Sequence, residues 1–500
     1  MKVLLVYPQY PETFWSFKYA LKFIGKKASF PPLGLFTVAS LLPSNWEKRL
    51  VDLNVSDLKK EHILWADYVF ISAISVQERS AKEVIKRIKA FGKPIVAGGP
   101  LFTSRYHEFD GIDYFVLNEG EITIPLFIND LRNGNLKNVY TTDEWADLTR
   151  SPAPSYDLID FNDYAAMCIQ YSRGCPFECD FCEITTLFGR KPRTKEVEQI
   201  INELEMIYSL GWRGGVFFVD DNFISNKKHL KEQILPAIIE WQKAKHYPFA
   251  FITQVSINLA DDDKLIKLMV DANFLNLFIG IESPNYESLE ECSKNQNKNR
   301  DLIDSVKKIQ SYGFDVMAGF IVGFDNDPPN IFDRLIDFIE KSNIVTAMVG
   351  ILNAPVKTKL FKKLSAQGRI LKYMTGDNTD FSTNIIPKMD MECLVAGYER
   401  IVKTIYKPEN LYNRIMRFLK DYKPSNPKLF HYKSEYFLAF IKSLFVLGLW
   451  NKGRFYYWKL LSWSILKKPR LLAIAVTFAI YGYHFRKIFE KHSERKKTSY

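Results

Sequence analysis

The chain is poor in the residues that staple or ligate, with six cysteines and seven histidines in 500 residues. So few thiols exclude a disulfide-dense secreted scaffold. No second C-x₂-C pair and no H-x₃₋₅-H pair stands ready to complete a zinc site of the usual kind. The first strand-like run is not followed by G-x-G-x-x-G, and no G-x₄-G-K-[ST] occurs, which sets aside the common dinucleotide and P-loop folds. Long apolar runs are also missing. Leu471–Tyr483 is short of the roughly 18 residues that span a bilayer. Met1–Tyr7 runs straight into Pro8, too short for the apolar region of a signal peptide. Unpaired thiols and this opening together lead us to expect a cytoplasmic protein.

Against these absences, one concentration stands out. Three of the six cysteines lie within eight residues, Cys175-Pro-Phe-Glu-Cys179-Asp-Phe-Cys182. The C-x₃-C-x₂-C spacing offers three thiolates on one short loop. A cubane [4Fe–4S] cluster held this way keeps its fourth iron open to a ligand that is not a protein side chain. The alternative is three unrelated buried thiols acting as small hydrophobes. Arg173-Gly174 before the triplet and Pro176 within it mark a loop instead. Cys168, Cys292 and Cys393 show no pairing pattern.

The loop from Ser172 to Cys182, with Phe181 before the last cysteine, resembles the signature of the radical S-adenosylmethionine (SAM) enzymes. The resemblance implies that Cys175, Cys179 and Cys182 hold a [4Fe–4S] cluster. Its open iron would chelate the amino and carboxylate groups of SAM, with Phe181 close by, and electron transfer would release a 5′-deoxyadenosyl radical.

Residues 1–150 read as a parallel α/β domain, because short apolar runs alternate with helical patterns. Strands are expected at Lys2–Tyr7, Arg49–Leu53, Tyr68–Ile74, Pro94–Ala97 and Tyr114–Leu117, with helices at Leu33–Leu42 and Ser80–Phe91. In an open sheet of this kind ligands bind at the carboxyl ends of strands. The order of features resembles the cobalamin-binding domain that precedes the barrel in one large radical SAM subfamily. They are Val3–Tyr7 then Pro8, Phe30-Pro-Pro-Leu-Gly-Leu35, Gly98-Gly99-Pro100, and Asn118-Glu-Gly-Glu121. Cobalamin is then expected against Ser72, Ser75, Gly98, Gly99, Pro100, Glu119 and Gly120. The Asp-x-His-x-x-Gly loop that supplies a lower histidine to cobalt in other B12 domains is missing. Neither His62 nor His107 has the flanking residues. Cobalamin is therefore expected base-off, without a histidine ligand.

After Ser151-Pro-Ala-Pro154, residues 160–355 read as a partial (β/α)6 barrel. Strands are expected at Ala166–Tyr171, Val216–Val219, Phe249–Val255, Leu275–Ile281, Val316–Val322 and Thr346–Leu352, with helices such as Lys195–Leu210 and Asp301–Tyr312 between them. Polar groups at the strand ends would share one mouth. By resemblance, Asp220-Asp221-Asn222-Phe223 forms an acidic turn, although such carboxylates also cap helices. Likewise Glu282 and Ser283 lie beside the ribose and methionine parts of SAM, and Gly319 to Gly323 form the strand on which adenine packs. Asn353-Ala354-Pro355 with Thr358 and Leu360 resembles the subfamily's exit from the last strand, with Val356 where glycine is common.

Residues 356–500 read as a mainly α extension. Asn384-Ile-Ile-Pro387, Gly397-Tyr398 and Tyr406 through Arg414 resemble the extension of one branch of these enzymes, the branch that includes the hopanoid C-2 methylase. Residues 451–500 carry twelve Lys or Arg against Glu490 and Glu494, nearly all of the chain's net charge of +11. Apolar runs at Tyr436–Trp450 and Leu471–Tyr483 interleave with them. A basic, aromatic-rich tail of this kind can lie on an anionic membrane surface, or pack as a bundle with a solvated basic end. Nucleic acid fits less well, because no polar face presents the charge.

The expectation is thus an α/β enzyme: a Rossmann-like parallel-sheet cobalamin domain, a radical SAM barrel and an α extension. The resemblance implies a C-methyltransferase at an unactivated carbon, where a radical abstracts hydrogen and cobalamin provides the methyl group. The branch and the tail point to a small-molecule substrate of lipid or terpenoid kind. A low-potential donor such as flavodoxin or ferredoxin would supply electrons. The compartment would be the cytoplasm, with peripheral contact at the inner face of the membrane through the tail. Cyclisation, rearrangement or oxidation with the same cofactors is the alternative within enzymology. A non-catalytic iron–sulfur sensor or membrane-associated binding protein is the alternative outside it. Aromatic residues are numerous, and none is singled out as catalytic, since most pack in cores.

Overall fold

Strand β1 (Lys2–Tyr7) alternates its apolar residues between two separate cores, which shows how the first domain is built. Leu4 and Val6 face one side, with Val84, Ile85 and Ile88 of the helix Glu78–Lys89; Val3 and Leu5 face the other, with Leu35 of the helix Leu33–Leu41 and Phe127 of the helix Gly120–Asn133. Successive side chains of a strand point to opposite faces, so a run apolar at every position needs cover on both. The computed structural model describes residues 1–424 and 434–498. The remaining strands of this sheet are β2 (Glu47–Asp52), β3 (Tyr68–Ser72), β4 (Ile95–Gly98), β5 (Tyr114–Val116) and β6 (Val139–Tyr140), all parallel in the order β2-β1-β3-β4-β5-β6. The order reverses between β1 and β3, the position at which such sheets open a crevice for a ligand. β3 stops two residues earlier than its apolar run, because Ile74 N–H donates to Gln77 and starts a 3₁₀ turn. β6 is two residues long, too short to leave a periodic signal.

The second sheet comprises β7 (Ala166–Ile169), β10 (Gly214–Phe218), β11 (Phe249–Val255), β12 (Phe274–Glu282), β13 (Asp315–Val322) and β14 (Ala347–Ile351). Between β7 and β10 lies a two-residue antiparallel pair, β8 (Ser172–Arg173) with β9 (Arg193–Thr194). The six long strands are parallel in chain order from β7 to β14, as an incomplete barrel requires. Along β11 buried and half-buried residues alternate strictly. Phe217, Phe278, Met317 and Met348 occupy half-buried positions on this inner face. Trp15, from the loop after β1, lies edge-on to Phe278 at 5.3 Å and donates its indole N–H to Met348 Sδ at 2.9 Å. The first domain thereby places an aromatic side chain over the barrel's inner face.

The extension contributes the helices Lys359–Ala366, Met391–Ile405, Pro408–Asp421, Ser434–Phe445, Arg454–Lys467 and Leu472–Thr498. Residues 425–433, 499 and 500 of the expected extension lie outside the described residues. Gly397 lets the helix Met391–Ile405 close on Phe332, whose ring would meet any Cβ there. Arg414 is fully buried and ion-pairs with Glu340 while donating to Ile405 O at 2.9 Å. The last helix differs from one expectation. Leu471, Ala475, Val476, Phe478, Ala479 and Ile480 are buried, so Leu471–Tyr483 is core and does not offer a membrane-facing run. Its partners come from the other end of the chain. Phe485 stacks on Phe14 at 4.0 Å, and the His484 ring nitrogen Nε2 bonds Phe14 O at 2.9 Å. No local pattern could have announced contacts across more than 450 residues. Among the described residues no helix is long and apolar enough to cross a membrane.

Two outcomes follow. Phe485→Ala should lower stability by about 3–5 kcal/mol, the cost of a large aromatic removed from a core, read as a shift of the urea midpoint by circular dichroism. Asp315 is buried with Asn276 as hydrogen-bond partner at 2.8 Å, and burial pushes its carboxyl up to about 7. The folded chain then holds that proton more tightly than the unfolded one, so its contribution to stability is lost as pH rises from about 4 to about 7. Asp315→Asn should flatten the pH profile of the thermal midpoint over that window.

Candidate active site at the cysteine loop

The cysteine loop is held from below by the acidic turn after β10. Asp220 accepts from Tyr171 N–H at 3.1 Å, Ser172 N–H at 2.5 Å and Ser172 Oγ at 2.6 Å, and Asp221 accepts from Gly174 N–H at 3.3 Å. These carboxylates therefore cap the neighbouring strand's loop and not the next helix. Burial pushes Asp220 up to about 6 and Asp221 up to about 7, against the pull of those donors. Gly174 sits at φ +90°, and a Cβ there would press on Gly189 O and Lys191 O at 3.0 Å. Only glycine enters this turn without strain. Cys182 N–H donates to Cys179 O at 3.0 Å and Asp180 N–H to Cys292 O at 3.1 Å, while Asp180 O accepts from Leu360 N–H at 2.9 Å. Both ends of the loop are fixed.

The chemistry of the three thiols suits iron. Burial raises the thiol of Cys175 and pushes that of Cys182 up to about 12, and the charges of neighbouring thiolates add to both. Thiols raised in this way stay protonated on the bare chain, and binding iron would displace those protons. Among the described residues no three His, Cys, Asp or Glu side chains converge on one point as ligands of a single ion would. A cubane takes one thiolate per iron and so accepts a wider triangle. Beside the loop, Lys294 pairs with Glu282 at 2.7 Å, and Gln296 Nε2 approaches Cys179 Sγ at 3.8 Å. Burial alone would lower the Lys294 ammonium, but Glu282 and the thiolates hold it charged.

Phe181 turns into a small core with Phe324, ring centroids 6.4 Å apart. Glu282 is buried at φ +65°, at a register shift between Gly280 and Glu282 in the pairing of β12 with β13. A non-glycine residue there stores strain, a recurrent feature of ligand sites. Asn297 supports the bulge by donating to Gly280 O at 3.0 Å and Ile281 O at 2.9 Å. Ser283 is buried and its Oγ accepts from Asn285 N–H at 3.1 Å. Gly319 lies under Phe278, whose ring would be 2.9 Å from a Cβ. Gly323, at φ +100°, donates its N–H to Asp327 at 2.7 Å. Glu282 thus shares the cysteine loop's surroundings, while Gly319 belongs to the aromatic inner face and Gly323 to a turn.

The residues expected to meet cobalamin line the carboxyl ends of the first sheet. Gly98 passes so close to β5 that a Cβ would be 2.6 Å from Val116 O, and Gly99, at φ +89°, leaves 2.6 Å to Ser72 Oγ. Pro100 opens the helix Pro100–Arg105. Ser75 lies beneath Gly376 of the extension, whose Cβ would stand 2.9 Å from Ser75 C. Gly120 begins its helix, and Glu119 just before it is buried in an ion cluster. Glu119 meets Arg173 at 2.9 Å and Arg193 at 2.7 Å, and Glu121 meets Arg173 at 2.8 Å. Burial alone would raise Glu121, yet the Arg173 guanidinium outweighs it and holds the carboxyl at about 2. On the other flank, Ser104 Oγ donates to Glu183 at 3.1 Å. Residues next to Cys175 and Cys182 therefore both touch the first sheet's edge. A surface cleft lies elsewhere, between Asp157–Asn162 and Leu210–Arg213. It sits at the amino ends of the strands, opposite the face where barrel sites form.

Sequence reasoning did not find Arg173 and Arg193 as interdomain anchors, nor Lys294, Gln296 and Trp15. Arginines on loops are ordinary, and only folding reveals that these face Glu119 and Glu121. Arg173→Met should destabilise the chain by roughly 3–5 kcal/mol, since two buried carboxylates lose their shared partner. The urea midpoint checks this, and Glu119→Gln with Glu121→Gln in the same chain should restore part of the loss.

Known proteins bear on this arrangement. The description "B12 binding domain" matches residues 27–128, "Radical SAM superfamily" residues 169–339, and "Domain of unknown function (DUF4070)" residues 358–498. An uncharacterised methyltransferase of Synechocystis sp. is 40% identical over 494 residues, covering 97% of this chain and 91% of that protein. The hopanoid C-2 methylase of Rhodopseudomonas palustris is 34% identical over 418 residues, covering 83% and 78%. Among solved structures, the cobalamin-dependent SAM radical enzyme OxsB shares the fold with a TM-score of 0.63 at 15% identity, covering 99% of this chain and 80% of that one. The radical SAM methyltransferase TsrM from Kitasatospora setae does so at 0.60 and 16%, covering 94% and 99%. The chain belongs to the radical SAM enzymes that carry a B12-binding domain, among the methyltransferases that include the hopanoid C-2 methylase.

Proposed function

We propose that this enzyme methylates an unactivated carbon of an apolar, lipid or terpenoid substrate, with Cys175, Cys179 and Cys182 as the cluster ligands. The observation that carries the reading is the clamping of the cysteine loop between the barrel mouth and the carboxyl edge of the B12-binding domain, through Arg173–Glu119 and Ser104–Glu183. When bound, a reduced [4Fe–4S] cluster supplies the electron that cleaves SAM, and cobalamin supplies the methyl group.

The chain's own residues prepare the site. Asp220 and Asp221 fix the backbone on which the thiolates sit. Lys294 and Gln296 present N–H donors beside the thiolates, suited to a carboxylate such as that of SAM, and Glu282 offers an acceptor for its amine or ribose hydroxyls. Trp15, Phe217, Phe278, Met317 and Met348 keep water from the inner face and would pack against an apolar carbon skeleton. That aromatic lining, with the similarity to the hopanoid enzyme, supports the substrate class. Ser72, Ser75, Gly98, Gly99, Pro100, Glu119 and Gly120 define the edge against which cobalamin would lie, base-off for want of a suitable histidine. A low-potential flavodoxin or ferredoxin would deliver the electron in the cytoplasm, and contact of the extension with the inner face of the membrane would suit a lipid substrate.

The test is product analysis. Anaerobically reconstituted protein with hydroxocobalamin, SAM, a low-potential reductant and a pentacyclic triterpene should form 5′-deoxyadenosine and S-adenosylhomocysteine together, with a methylated product. 5′-Deoxyadenosine with consumed but unmethylated substrate would sink the methyl-transfer reading. Replacing any one of the three cysteines with Ala should abolish both products. Lys294→Met should raise the SAM concentration for half-maximal cleavage by roughly 10–100-fold, the loss of one charged hydrogen bond.

A further inference from the structure

Large apolar side chains on the surface of this protein are not scattered evenly. Ten of the twenty exposed ones among the described residues fall between Tyr436 and Leu466. That stretch is a hairpin of the helix Ser434–Phe445, continued by a turn of π-helix over Val446–Trp450, and the helix Arg454–Lys467. Its inner side is ordinary core. Ala439, Leu447, Tyr457, Leu460 and Leu461 are buried, and Ser443 Oγ and Tyr457 OH share a hydrogen bond at 2.7 Å. The outer side is the unusual one. Leu438, Phe445 and Leu449 follow helical spacing on the first arm, and Phe455, Trp458 and Ile465 do so on the second. Trp450 and Leu466 are each 77% exposed and Phe455 72%.

Charge on the same face has one sign. Lys442, Lys452, Arg454, Lys459, Lys467 and Arg470 are exposed, and among the described residues none pairs with a carboxylate. Glu435, the one acidic residue from 434 to 470, is engaged by Lys26 at 3.3 Å. An apolar patch of this breadth marks an interaction surface. A second copy would set these unpaired cations against one another, and protein interface cores are depleted in lysine. An anionic bilayer answers both features, because indole and phenyl rings settle at the acyl boundary while Lys and Arg reach the headgroups.

We propose that the outer face of this hairpin, Tyr436–Leu466, docks the enzyme on an anionic lipid surface. The docking segment is therefore upstream of the apolar run Leu471–Tyr483, which is core. Docking does not require turnover, so its failure would leave the methyltransferase reading standing.

Full-length holoprotein is floated with vesicles of phosphatidylcholine alone or with phosphatidylglycerol added. Wild type should partition to the anionic vesicles, less so in high salt and weakly to neutral ones. Trp450→Glu with Phe455→Glu should weaken partition by roughly tenfold or more, and Lys452→Glu with Lys459→Glu should remove the preference for anionic lipid. Leu64→Glu, an exposed position in the first domain, should change nothing, and circular dichroism and iron content should stay at wild-type values throughout. Equal partition of wild type and the Trp450/Phe455 variant would overturn the proposal. So would a wild type that ignores vesicles but forms a dimer dissociated by those substitutions, which would assign the face to a second copy.

Discussion

A buried quartet of charges fixes where the two sheets meet. Glu119 and Glu121 stand at the end of the first sheet, Arg173 and Arg193 on the paired strands β8 and β9, and Arg173 is two residues before Cys175. Buried ions are costly unless every partner is present. The arrangement therefore penalises any relative displacement of the domains, and with it any displacement of the edge where cobalamin would lie from the loop where iron would lie. Rigid placement of this kind is what chemistry between two cofactors demands.

The same logic extends around the loop. Asp220 and Asp221 tie it to the barrel, Leu360 N–H ties it to the extension, and the fully buried Asn384 side chain accepts from Ala354 N–H and donates Nδ2–H to Ala354 O, both at 2.8 Å. The extension in turn reaches the first domain through Phe485 on Phe14 and Gly376 over Ser75. Three segments of the chain thus close on one face of the barrel. Among the described residues, the hairpin around Trp450 concentrates the large exposed apolar side chains.

Much of this was legible in the sequence because the signals were local. Runs of four to seven residues marked most strands of both parallel sheets, and three cysteines on one loop carried the likeness to the radical SAM enzymes. What escaped was long-range. Glu119, at the edge where cobalamin is proposed to lie, also pairs with Arg173 and Arg193, contacts that the Asn118-Glu-Gly-Glu121 pattern does not announce. The glycines at 98 and 99 fit a ligand-binding turn, yet the crowding of Val116 O and Ser72 Oγ already requires them. The run Leu471–Tyr483 fitted a membrane-facing helix or a packed bundle equally, and burial with Phe17, from the opposite end of the chain, against Tyr481 makes it core. Lys294 carried no motif at all, and its pairing with Glu282 depends on a strained bulge that composition cannot show.

The central claim is that three thiolates hold a cluster with one iron left for SAM. Electron paramagnetic resonance of the anaerobically reconstituted, reduced protein tests it most directly, with spectra recorded before and after SAM is added. The account predicts a reduced [4Fe–4S] signal whose g values shift on addition of SAM, and no such signal when Cys175, Cys179 or Cys182 is replaced by Ala. A cluster signal that SAM leaves unchanged, or one that survives loss of any of these cysteines, would contradict it.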